Sequence, residues 1–260
     1  MLFCITNKCS MGCPHCMSDC KPEGQLLDKN NLMPFINFFN FMRFRTLLIS
    51  GGEPTEHPDF SYIVETLAEK CKPLAMVIIS NGSFVEDEKR LSEVVRLMHR
   101  FQFMRLQITS IKGLYKNYDS IYKKKEYIRS FFPGRVIFKM ERIMMMRPLG
   151  RAATNPEIME MVEQTNNGYT DCANATLLSM QSPNIKELAL NCESRGKFCM
   201  PMVDYKLDVH MSESMLCPSV GNLKNDGFLK IFENMKSFVP CGRCGNTDKS
   251  MAVINAIRNR

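Results

Sequence analysis

Three thiols fall within eight residues near the start of the chain, in Cys9-Ser10-Met11-Gly12-Cys13-Pro14-His15-Cys16. Thiolates are the usual ligands of iron-sulfur clusters, and a loop carrying three of them can hold three irons of a 4Fe-4S cube while the fourth iron stays open. An open metal position is what a catalytic site keeps and a structural site closes. A zinc knuckle, or three unrelated thiols in a cysteine-rich chain, would use the same residues.

The elements around the loop decide how it is presented. Up to about residue 150, short apolar runs alternate with helix-length amphipathic segments, which argues for a parallel sheet with crossover helices. Strands are expected at residues 2–6, 46–50, 74–79, 104–109 and 135–143, with helices at 34–44, 59–71, 86–100 and 115–131. The cysteine loop follows the first strand, Gly51-Gly52-Glu53-Pro54 the second, and Ser80-Asn81-Gly82 the third; the fourth ends in Gln107-Ile108-Thr109. The polar, glycine-rich residues therefore gather at the C-terminal ends of the strands, which is the active-site end of such barrels. In the fifth strand Val136, Phe138 and Met140 share one face and Lys139 and Glu141 the other. Lys139 and Glu141 then either point into a barrel lumen or form a charge pair on the solvent side of an edge strand.

The C-x3-C-x2-C loop, the GGEP turn and the two later strand ends together resemble the radical SAM superfamily. The resemblance implies a 4Fe-4S cluster on Cys9, Cys13 and Cys16 whose open iron binds S-adenosyl-L-methionine. It also implies cofactor contacts from Gly51, Gly52 and Glu53, where two glycines would let the backbone approach the ligand, and from Ser80, Asn81 and Thr109. The residue before the third cysteine is often aromatic in the family; here it is His15, expected against the adenine. A second departure is that only five clear strands precede Arg147-Pro148-Leu149-Gly150-Arg151-Ala152, where six are usual. The sixth would come from about 175–180 or 186–190, or be missing.

Cysteines return as Cys192, Cys199, Cys217, Cys241 and Cys244. A hairpin signal lies between Cys199 and Cys217, with strands at 206–210 and just before Leu216, followed by a helical stretch within 222–236. The order of cysteine, hairpin, cysteine, helix and C-x2-C resembles the twitch relative of the SPASM domain, which implies an auxiliary 4Fe-4S cluster on Cys199, Cys217, Cys241 and Cys244. Cys192 could replace one ligand, and a zinc ribbon would fit the same spacing. The expected fold class is thus α/β, a partial (β/α)5-6 TIM-like barrel with a small cysteine-rich C-terminal twitch-like domain. Its parts would be a barrel at 1–153, a linking, substrate-lining region at 154–190 and the twitch-like domain at 191–260.

Composition limits the function classes. The 12 cysteines have no export signal beside them, so they read as reduced ligands rather than a disulfide framework, and a cytoplasmic protein is expected. The net charge of +7 is spread out, and its densest run, Lys123-Lys124-Lys125, reads as a solvated helix face. Neither a membrane nor a nucleic acid is an expected partner. Cys20, one helical turn after Cys16, is a candidate hydrogen-atom or proton donor; Lys139 and Glu141 are candidate substrate-side groups. The reaction implied is hydrogen abstraction by a 5′-deoxyadenosyl radical, with electrons from a flavodoxin- or ferredoxin-type reductant. The expected substrate is a peptide, for cross-linking, epimerisation or oxidation, presented where needed by a separate carrier protein because a barrel starting at residue 2 leaves no room for an N-terminal peptide-binding domain. The alternatives are a small molecule such as a sugar alcohol and, in another class, a non-catalytic zinc or iron-sulfur binding protein.

Overall fold

Alternation of apolar side chains produces both layers of the fold. The computed structural model describes residues 1–140, 149–165, 184, 201–211 and 215–238. Strands β1 (Leu2–Cys4), β2 (Thr46–Ser50), β3 (Ala75–Ser80), β4 (Met104–Thr109) and β5 (Val136–Lys139) pair in parallel in that order. Helices α1 (Leu32–Met42), α2 (Phe60–Cys71), α3 (Glu88–Arg100) and α4 (Tyr118–Phe131) make the crossovers. Each strand sends every second residue to the helices: Phe3, Leu47, Ile49, Met76, Ile78, Met104, Leu106 and Ile108 are all buried there. The helices answer with stripes at helical spacing, such as Phe35, Phe38, Phe39 and Met42 on α1, and the Phe3 and Phe35 rings stack at 3.8 Å. α1 stops where Arg43 takes a left-handed conformation at φ 53°, returning its N–H to Asn40.

The first strand is shorter than the 2–6 expected. After Cys4 the chain turns to the segment that returns from the cysteine loop, with an antiparallel bridge between Thr6 and Leu26. β5 is described only to Lys139, and Glu141 lies outside the described residues. Lys125 and Arg129 of α4 lie over the Phe138 ring at 5.8 and 5.3 Å, so Phe138 faces the helix layer and Ile137 and Lys139 face the other side. Lys124 of the basic run pairs with Glu86 at 3.0 Å, a partly exposed contact within the chain.

A sixth parallel strand exists among the described residues, at β6 (Met202–Val203), and it lies beside β1 rather than beyond β5. Both stretches expected to supply it, 175–180 and 186–190, lie outside the described residues. β7 (Asp208–His210) and β8 (Ser219–Asn222) continue the sheet antiparallel, giving the order β5-β4-β3-β2-β1-β6-β7-β8. The hairpin is therefore present, with its second strand beginning past Cys217 rather than before Leu216. Helix α5 (Pro156–Thr165) follows the Gly150–Thr154 turn, and α6 (Phe228–Ser237) packs Phe228 against Phe38 and Phe41 of α1 at 5.6 and 5.9 Å. The described C-terminal segments thus share one sheet and one hydrophobic core with the first 140 residues. Among the described residues no helix is long and apolar enough to cross a membrane.

The GGEP turn shows what its glycines are for. A Cβ on Gly51, at φ +138°, would stand 2.1 Å from the Thr6 carbonyl oxygen, and one on Gly52 would stand 2.1 Å from that of Lys8. The Gly52 and Glu53 N–H groups donate to those two oxygens, each at 2.8 Å. Both positions therefore need glycine for the close approach to the chain's own segment just past β1. Gly51→Ala is expected to destabilise the fold by about 2–4 kcal/mol through strain and overpacking, and to lower the apoprotein melting temperature by about 5 °C or more.

Candidate active site

The cysteine loop is held at the C-terminal ends of the strands from three directions. Its entry is tied by the Cys9 N–H to Lys21 O at 2.9 Å. Its middle is tied by Glu56, buried in the turn after β2, whose carboxylate accepts from the Ser10 N–H at 3.1 Å and the Ser10 hydroxyl at 2.5 Å. Its exit is tied by Arg151, which donates to Cys13 O at 3.0 Å, Cys20 O at 2.9 Å and the Asp19 carboxylate at 2.8 Å, while its backbone N–H reaches Cys16 O at 3.0 Å. Gly150 lets Arg151 come so close: its φ is +56°, and a Cβ there would be 2.6 Å from Cys16 O. Neither Glu56 nor Arg151 was identified from sequence as a site residue. The only available signal for Arg151 was its place in the glycine-containing turn after the fifth strand.

Cys9, Cys13, Cys16 and Cys20 cluster with Met11, Tyr115 and Met215. Burial pushes the Cys9 thiol up to about 11 and the Cys13 thiol up to about 12. Cys20 points its thiol at the Cys16 sulfur and its N–H there too, at 3.3 Å, which holds Cys16 below and Cys20 above the ordinary thiol range. Cys20 is itself 2% exposed. Among the described residues no three His, Cys, Asp or Glu side chains converge as ligands of a single metal ion. A cubane makes a different demand, since each thiolate takes a different iron, and a gathered set of three thiols fits that demand.

The strand ends contribute unequally. The register pairs Ile79 with Gln107 and Thr109 with Lys139, so Asn81, Thr109 and Lys139 lie in one row at the C-terminal mouth. Ser80 points to the opposite face. Its hydroxyl donates to Glu53 Oε1 at 2.8 Å and accepts from the Gly82 N–H at 2.9 Å. Glu53 is fully buried and also accepts from the Thr55 N–H at 3.2 Å, the Thr55 hydroxyl at 2.6 Å and the Asn81 N–H at 2.7 Å. Burial raises its pKa, and those donors oppose the rise. Its carboxylate thus ties the β2 end to the β3 end.

His15 fits a place beside an adenine. Its ring lies 4.9 Å from that of Tyr115, burial and then the Arg151 charge push its pKa down to about 4, and its buried Nδ1 has no hydrogen-bond partner. A neutral ring with an orphaned acceptor or donor suits a nitrogen-rich base. Of the second cysteine group only Cys217 is described; Cys192, Cys199, Cys241 and Cys244 lie outside the described residues. The Cys217 carbonyl meets His210 Nδ1 at 2.7 Å, and His210 Nε2 lies 3.4 Å from Asp204.

His57, next to Glu56, gives a pH test of this corner. Its Nδ1 accepts from the Asp59 N–H at 3.0 Å, so the proton is on Nε2, which donates to Leu27 O at 2.8 Å. Burial lowers its pKa below 6.5. As pH falls below 6.5 the unfolded chain takes up a proton that the folded chain resists, so stability falls with pH. The apoprotein melting temperature should drop by a few degrees between pH 7.5 and pH 5.5, and His57→Gln should melt lower at pH 7.5 with a smaller drop.

Comparison with known proteins agrees with this geometry. Residues 3–129 match the model of the radical SAM superfamily. The structure of BtrN in complex with AdoMet and 2-DOIA is 15% identical at a TM-score of 0.55, covering 98% of this chain and 90% of BtrN. That of Streptococcus suis SuiB bound to precursor peptide SuiA is 11% identical at a TM-score of 0.51, covering 91% of this chain and 66% of SuiB. No curated protein matches the chain in sequence. Residues 3–129 thus form a radical SAM domain, and with the open parallel α/β sheet consistent with a partial TIM-like barrel and the thiol loop at its C-terminal mouth, the chain is an enzyme built on that domain.

Proposed function

We propose that Cys9, Cys13 and Cys16 hold the 4Fe-4S cluster that the family implies, and that the enzyme abstracts a hydrogen atom from a peptide substrate. The observation that carries this reading is the meeting of the three thiols with the ends of β1 to β4 at one mouth. When bound, the reduced cluster and S-adenosylmethionine supply a 5′-deoxyadenosyl radical. The chain's own residues do the rest. Glu56 and Arg151 fix the loop, Gly51, Gly52 and Glu53 fix the turn beside it, and the tilted rings of His15 and Tyr115 give the adenine a half-buried aromatic corner. Thr109 offers a hydroxyl to the cofactor, Asn81 shapes the wall, Ser80 supports it by holding Glu53, Lys139 faces the substrate, and Glu141, outside the described residues, is a second candidate substrate-side group. Cys20, the thiol donor in this scheme, is reached by substrate only if the loop around Cys16 opens, because it is buried against Cys16.

Cys199, Cys217, Cys241 and Cys244 hold an auxiliary 4Fe-4S cluster in this proposal, which would accept an electron from the substrate radical. A small one-electron protein of flavodoxin or ferredoxin type supplies the first electron, and a carrier protein can present the peptide. The likeness to peptide-bound SuiB supports the peptide reading. Dehydrogenation of a small molecule such as a sugar alcohol is the second reading, supported by BtrN, most of whose length the chain covers. Anaerobically reconstituted enzyme with S-adenosylmethionine and dithionite should form 5′-deoxyadenosine, faster with a peptide pool than with a panel of sugar alcohols. Stimulation by the sugar alcohols alone would replace the peptide reading with the second, and folded enzyme that forms no 5′-deoxyadenosine under any condition would refute both.

A further inference from the structure

We infer that Asn81 is a positioning residue for the cluster itself, donating a hydrogen bond from its side-chain amide to the sulfur of Cys9 and thereby setting the ease with which the cluster is reduced. The inference rests on the reading of Cys9 as a cluster ligand.

The geometry is specific. Asn81 Nδ2 lies 3.6 Å from Cys9 Sγ, with Asn81 only 9% exposed. Nitrogen and oxygen of an amide are distinguished by their partners, and here the partner of Oδ1 is a donor, the Ser83 N–H at 2.8 Å. The opposite orientation would set two donors against each other at Ser83 and an oxygen against sulfur at Cys9. The backbone of Asn81 is held as firmly. Its N–H donates to Glu53 Oε2 at 2.7 Å, and its carbonyl accepts from Asn117 Nδ2 at 2.9 Å. Asn117 Oδ1 in turn meets the buried Ser110 hydroxyl at 3.2 Å, just past β4. Three strand ends therefore hold one N–H in a fixed direction, toward one sulfur.

A donor aimed at a cluster sulfur stabilises the more negative, reduced state, because one added electron is shared by the iron and its sulfur ligands. Asn81 thus favours acceptance of that electron from the external one-electron donor. It does so without touching the substrate.

The test uses full-length enzyme, reconstituted anaerobically without S-adenosylmethionine, and an EPR-monitored redox titration. Asn81→Leu removes the donor. Asn81→Ser keeps an oxygen that can accept from the Ser83 N–H but is too short to reach the sulfur, and it covers the case in which the leucine variant fails to fold. In the signal that depends on Cys9, Cys13 and Cys16, the ratio of reduced to oxidised cluster at the wild-type midpoint should fall at least about threefold, which is about 28 mV at 59 mV per decade. A purely structural role would lower iron content or melting temperature and leave the potential of the loaded molecules unchanged. An unchanged potential in folded, iron-loaded Asn81→Ser would overturn the inference. If Cys9→Ala keeps the wild-type iron content and signal, the fault lies instead with the ligand assignment.

Discussion

A variant carrying Cys9→Ala, Cys13→Ala and Cys16→Ala is expected to lose about four irons per chain on reconstitution, together with all 5′-deoxyadenosine formation. The loss should be one of ligands rather than of fold. The ties that hold the loop run from Glu56 to the Ser10 backbone and hydroxyl, from Arg151 to the carbonyls of Cys13, Cys16 and Cys20, and from the Cys9 N–H to Lys21. None of these ties uses the three thiols being replaced; the variant loses only the weaker sulfur contacts of the Cys20 N–H with Cys16 and the Asn81 amide with Cys9. Iron and sulfide analysis with a melting curve of the apoprotein separates the two cases, since the curve should move little. The count also reports on the second cysteine group. A fall from about eight irons to about four supports two clusters, whereas a fall from about four to none, with zinc retained, leaves a single cluster and a zinc site.

Glu53→Ala should be the most damaging single substitution in the β2 turn. It removes both oxygens from a fully buried carboxylate and strands the Thr55 N–H, the Thr55 hydroxyl, the Ser80 hydroxyl and the Asn81 N–H. A buried donor left without a partner costs about 1–3 kcal/mol, and with partial relaxation of four such groups the total should reach about 3–5 kcal/mol. The melting temperature of the apoprotein should fall by about 10 °C, at the 2–4 °C per kcal/mol typical of this size. Glu53→Gln keeps the shape but turns an amide NH2 toward a donor, so an intermediate loss is expected. Equal stability of Glu53→Ala and wild type would show that these donors find other partners, and the account of Glu53 as the link between β2 and β3 would fail. Because Asn81 leans on the same carboxylate, Glu53→Ala should also weaken cluster retention.

Some of this was readable from residue order alone, for a physical reason. Period-two and period-3.6 patterns are local, so β2, β4, α2 and α3 fall close to where their apolar residues put them, and the parallel alternation follows from their order. The thiol spacing is local as well. A three-cysteine loop after a first strand, followed by a GGEP turn after a second, names its chemistry before any contact is known.

What the tertiary structure decided is long-range. Arg151 and Cys13 are 138 residues apart, and Glu56 and Ser10 are 46 apart, so no periodicity marks either arginine or glutamate as a clamp on the loop. That the two glycines of the GGEP turn are needed for the close approach to Thr6 and Lys8 shows only once those segments are seen beneath them. Ser80 and Asn81 are neighbours in sequence, yet strand geometry turns Ser80 toward Glu53 and Asn81 toward Cys9. β6 has only two residues, too few for a hydrophobic pattern to register, and its place beside β1 comes from pairing rather than propensity. The sequence determined which groups are available for chemistry; the pairing of distant segments determined which of them face the cysteine loop, which face each other, and which hold the rest in place.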